Sequence, residues 1–186
     1  MQMRAFFKTG STALVILGIG FATLSEQAAA SSKRGAPSPM QHAAHQTSAP
    51  HVVKMAVKPG VSLDDAAESM RLRANSLNMK LVAELPLSNQ VEAITGKPQR
   101  RMTIFQFCDA LTARDLIELD IDFAIYMPCR IALIEDAKGQ SWLIMMDIDV
   151  NALAQEKRVP SALKKRIEEV RATLINIMEA GAKGDL

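Results

Sequence analysis

The sequence predicts an α+β protein, and three patterns carry that prediction. Two apolar runs, 130–135 and 141–148, flank Asp136-Ala137-Lys138-Gly139, a tight turn with glycine where a positive φ is wanted. Those runs are therefore antiparallel neighbours. Residues 102–108 alternate with the period of a strand, Thr103, Phe105 and Phe107 on one face against Met102, Ile104, Gln106 and Cys108 on the other. Two stripes spaced by fours and threes mark amphipathic helices: Leu63, Ala67, Met70, Ala74 and Leu77, then Leu163, Ile167, Val170, Leu174 and Ile177.

In chain order, residues 1–30 read as a secretory signal. Arg4 and Lys8 form the basic start, residues 12–24 the apolar core, and Ala28 and Ala30 an A-x-A cleavage site. An apolar core of this length falls short of the roughly 20 residues of a membrane span, so the mature chain should carry none. Export to a bacterial periplasm is the simplest address. Cleavage would remove Arg4, Lys8 and Glu26 and lower the net charge from +2 to +1, too little basic excess for a nucleic-acid binder. Residues 31–51 have no Val, Ile, Leu or Phe and read as a disordered linker. That linker holds all three histidines, His42, His45 and His51, with Met40 nearby, so the domain after it is expected to lack histidine. A Ser-His-Asp triad or three-histidine zinc site inside the domain is thereby excluded.

The domain is expected over 52–150, followed by a C-terminal helical extension over 151–186. Residues 52–57 begin it as a short strand closed by Pro59-Gly60. Ser62 opens the first helix, with Asp65 completing a capping box and Asn78 as a stop. Residues 79–87 return as a strand whose Pro86 marks an edge. Residues 88–94 make a short helix. The last helix opens at Pro160 and Ser161 and is expected to end at Gly181. Several strands are apolar on both faces and need a cover on each, one from helices and the other from a second subunit or a ligand.

The only cysteines, Cys108 and Cys129, end apolar runs and sit beside Asp109 and Arg130. The connection between them decides their relation. A straight helix through 110–126 would make the flanking strands parallel and hold the cysteines apart. A break near Asp120 would make the strands antiparallel and bring both cysteines to one rim. Leu116, Leu119 and Phe123 favour the first, Leu119-Asp120-Ile121-Asp122 the second, and both stay open.

Three chemistries compete for the cysteines. One is an inert structural disulfide or two separate buried thiols. Another is a redox or sulfur-accepting pair, in which Arg130 lowers the Cys129 thiol pKa and Asp109 modulates Cys108 in the opposite sense. The last is haem or copper ligation by Cys108 or Cys129 with methionine or with His42, His45 or His51. Asp115, Glu118, Asp120 and Asp122 read as a solvated acidic face rather than a catalytic pair.

A resemblance follows from the helix opening Val61-Ser62-Leu63-Asp64-Asp65-Ala66, the strand Ile104-Phe105-Gln106-Phe107, and Met127-Pro128-Cys129-Arg130-Ile131 leading to Ile134-Glu135-Asp136 and Gly139. With these features the chain resembles the bacterial family catalogued as "domain of unknown function 302", as a cysteine-containing exported variant. The resemblance implies a two-layer sandwich, a mostly antiparallel sheet of about four strands packed against helices, paired as a homodimer. It supplies no activity. Where the family commonly has a small residue, Asn and Pro, this chain has Cys108-Asp109-Ala110, and Cys129 stands where an aliphatic residue is common. The functional expectation is an exported accessory protein that handles thiols or sulfur through Cys108 and Cys129, with a small sulfur compound or a redox protein as partner.

Overall fold

A computed structural model describes residues 51–185. The segments expected to be a signal (1–30) and a linker up to residue 50, and with them Met40, His42 and His45, lie outside the described residues. The elements run β1 (His51–Ala56), α1 (Leu63–Ser76), β2 (Lys80–Pro86), α2 (Leu87–Thr95), β3 (Met102–Cys108), α3 (Ala110–Leu119), a 3-10 helix (Ile121–Tyr126), β4 (Cys129–Glu135), β5 (Ser141–Asp147), α4 (Val150–Glu156) and α5 (Ser161–Lys183). One antiparallel sheet has the order β1-β5-β4-β3-β2. The α+β expectation holds, with five strands rather than about four, because β1 pairs with β5 along its full length.

Local chemistry starts and stops these elements. The Ser62 Oγ accepts from the Asp65 N–H at 3.0 Å and donates to its carboxylate at 2.7 Å, opening α1. Pro86, which has no N–H to give a ladder, sits on the edge strand β2. In the β4–β5 turn, Asp136 Oδ1 accepts from the N–H of Lys138 and of Gln140, and Gly139 takes φ +79°.

The alternation read in β3 separates two environments. Thr103, Phe105 and Phe107 are buried against α1 and α5 together with Ile131, Leu133, Leu143 and Met145. The other face is half covered: Ile104, Ile134 and Ile144 are partly buried, while Val52 and Met146 are exposed. Helices α1 and α5 form the second layer and pack on each other.

Two sequence expectations are corrected here. Gly181 does not end the last helix. It lies buried within α5, where an added Cβ would stand 2.6 Å from Met70 Cγ and 3.1 Å from the Ala66 carbonyl oxygen, so glycine permits α5 to touch α1. The helix stops at Gly184, in the left-handed region at φ +69°. His51, assigned to the linker, is the first residue of β1 and pairs with Asp147, so the domain does contain a histidine. The short helix α4, capped by Asp149 through the N–H groups of Asn151 and Ala152, opens the C-terminal helical part as an element separate from α5.

Candidate functional site: a dithiol pocket at one end of the sheet

The connection over 109–128 breaks at Asp120, which settles the topology left open by the sequence. Asp120 takes an extended conformation, φ −157° and ψ 121°, and its carboxylate accepts from the Asp122 N–H at 2.9 Å, starting the 3-10 helix. Lys157 Nζ then donates to Asp120 and Asp122, each at 2.8 Å, tying the break to the end of α4. Two members of the acidic face, Asp120 and Asp122, are thus drawn together by one cation. Asp115 is also paired, with Arg114 and Arg166.

Because the chain reverses there, β3 and β4 run antiparallel and both cysteines reach the same rim. Phe107 pairs with Cys129, which puts Cys108 one step along the diagonal. Strand geometry sets their Cα atoms about 6 Å apart, but the alternation of β3 puts Cys108 on the face opposite Phe107 and Cys129, so an internal bond requires the strand end to turn. Both residues line one cavity of about 80 Å³. Residues of α3 and the 3-10 helix (Leu116, Phe123) wall it on one side, and Leu153, Ile167 and Val170 on the other. Met127, next to the cis Met127-Pro128 peptide, adds a third sulfur-bearing side chain to the lining.

Both cysteines are free thiols in the structure. Burial pushes the Cys129 thiol pKa up and the neighbouring Cys108 adds to this, while a backbone hydrogen bond and Arg130 pull less strongly the other way. Burial also raises the Cys108 pKa, helped by the Asp109 carboxylate. Asp109 caps α3, accepting from the Thr112 N–H at 2.7 Å, and that bond is the first cause of its own lowered pKa. The expected activation of Cys129 by Arg130 is therefore outweighed. The reason is directional: Arg130 belongs to the β4 face opposite Cys129, pairs with Gln106, and is exposed.

Other candidates sit elsewhere. His51 lies at the same rim two strands from Cys129, across Asp147, and two strand spacings are roughly 10 Å. Among the described residues no group of three or more His, Cys, Asp or Glu is placed to hold a metal ion. A second cleft of about 420 Å³ adjoins the thiol cavity, sharing Cys129 and Tyr126, with Arg130 and Arg171 at its border. The sequence reading missed Met127, although it adjoins Pro128-Cys129. It placed Ile167 and Val170 on the buried stripe of α5 without linking that stripe to the cysteines.

Sites for larger organic ligands occupy roughly 300 Å³ or more; the thiol cavity holds about 80 Å³, and the adjoining cleft that shares Cys129 about 420 Å³. A single metal ion or an added sulfur atom is within the compass of the thiol cavity.

Comparison with known proteins bears on the fold. A family profile described as "Domain of unknown function DUF302" matches residues 53–181. Among solved structures, the chain is similar to one titled "Crystal structure of uncharacterized conserved protein DUF302 from Bacillus stearothermophilus", with 12% identity, 69% of this chain and 96% of that chain covered, and a TM-score of 0.55. At that identity the likeness concerns architecture alone. A search of curated proteins finds no match.

Proposed function

Since this chain belongs to the DUF302 family, whose description assigns no activity, we propose a function from its own rim: an exported accessory protein that exchanges thiols and disulfides through Cys108 and Cys129. The observation that carries this reading is that the reversal at Asp120 brings both free thiols to one cavity. The N-terminal pattern of residues 1–30 supports export, to a periplasm where such a couple has oxidised partners.

The chemistry is thiol–disulfide exchange with a partner disulfide. The thiolate of Cys108, the less enclosed of the two, attacks one partner sulfur. The other partner sulfur leaves as a thiolate, giving a mixed disulfide. Cys129 then attacks Cys108, forming the internal bond and releasing the second partner thiol. Two protons and two electrons pass from this chain to the partner. With both thiol pKa values raised, the reduced form is a slow nucleophile at neutral pH, which suits a dedicated partner better than a general oxidant. A small sulfur compound is the alternative occupant. Pairing of two copies over the half-covered sheet face, where Val52 and Met146 are exposed, gives that face the cover its apolar residues call for.

The test is equilibration of the purified exported chain with glutathione redox buffers, acid quench, alkylation and intact mass. A single cooperative step losing both alkylation sites together is expected. Independent modification of Cys108 and Cys129 at every potential would overturn the reading.

A further inference from the structure

We infer that the reduced pocket is a binding site for a soft monovalent cation, copper(I), held by the Sγ atoms of Cys108 and Cys129 and the Sδ of Met127. The three residues come from different places in the chain, the end of β3, the start of β4 and the turn just before it, yet all line the same cavity of about 80 Å³. That space accommodates a single ion between the side chains, with the sulfur atoms as part of its wall.

The donor set selects the ion. Thiolate and thioether are soft ligands, and thioether in particular favours copper(I) over harder cations. Oxygen donors are few in the pocket, the Thr112 and Tyr126 hydroxyls and the Asp109 carboxylate, one oxygen of which accepts from the Thr112 N–H, and the remaining walls are largely hydrocarbon, including Leu116, Phe123 and Leu153. Binding replaces the two S–H protons, which pass to solvent. Copper stays in the +1 state and the thioether donates a lone pair, so no oxidant or reductant is required. The inference rests on the proposed function only in that both thiols share the cavity while reduced. It places the third donor at Met127 rather than at a histidine before β1.

The experiment titrates the reduced full chain anaerobically with copper(I) against a chromogenic copper(I) chelator. One equivalent is expected to bind. Cys108→Ser and Cys129→Ser should each weaken affinity by more than about 100-fold, beyond the range typical of losing an outer partner. Met127→Leu, a swap of similar volume that leaves the fold intact by circular dichroism, should weaken it about tenfold. A His42→Ala, His45→Ala double variant should leave it unchanged. Absence of a stoichiometric copper(I) complex, an affinity indifferent to Met127, or one that follows His42 and His45 would overturn the site. The two readings fail separately: a glutathione-titrated internal disulfide without copper binding removes only this one, and copper binding without that disulfide removes only the redox couple.

Discussion

The two ends of the buried layer are built to different tolerances. Where α5 crosses α1, packing is so close that a methyl group on Gly181 would collide with Met70 and crowd Leu143. Around Cys108 and Cys129, the same helix, through Ile167 and Val170, closes over about 80 Å³ of open space. One end resembles a filled protein interior and the other leaves room between potential ligands. Close packing and open space have been given to different turns of one helix.

Four substitutions break or sharpen this contrast. Phe107→Ala should cost most, about 3–5 kcal/mol in urea unfolding, because the ring is fully buried and its loss leaves a void. Gly181→Ala should cost about 1–3 kcal/mol through overpacking, although alanine is the better helix former by about 1 kcal/mol. Its effect should be non-additive with Met70→Ala, since the two sites touch. Ala113→Leu, aimed into the thiol cavity it lines, should instead gain about 0.5–1 kcal/mol by filling space, and should abolish copper(I) binding. A loss of stability there as large as at Gly181 would erase the contrast.

The smallest effect concerns pH. Arg171 holds the Asp147 carboxyl below its usual pKa through a two-pronged contact at 2.6 and 2.8 Å. A lowered folded pKa means its contribution is present above the unfolded value near 4 and is lost as pH falls through the folded one. Asp147→Asn should therefore lower stability at pH 7 by about 1 kcal/mol or less, given its partial exposure. The gap from the parent chain should narrow in acid-unfolding curves; a constant gap from pH 7 to 2 would refute the linkage.

Much of the fold was legible because local signals and tertiary structure agree. Ser62, Pro86, Pro160 and the Asp136 to Gly139 turn each acts within a few residues, and each appears where its chemistry puts it. What stayed open depended on partners distant in sequence. The break at Asp120 is stabilised by Lys157, and nothing within the connection announces that pairing. Gly181 carries the composition of a helix stop, and only contact with Met70 and Ala66 reveals it as an interior residue. The cysteines were found by their rarity, whereas Met127 was hidden among 11 methionines, because a thioether looks like core until its neighbours are known.

The hairpin joining β4 and β5 has a practical consequence. Trp142, the chain's single tryptophan, donates its indole N–H to Asp136 at 2.9 Å and lies under the Lys54 ammonium, 3.8 Å from the ring centroid. It stands at the far end of the strands from the thiols, since it pairs with Ile134 and Ala56. Its fluorescence is thus an intrinsic gauge of whether β1 remains docked, blind to events between the sulfurs. A ligand that alters thiol reactivity while leaving indole emission untouched has acted at the pocket without loosening the sheet.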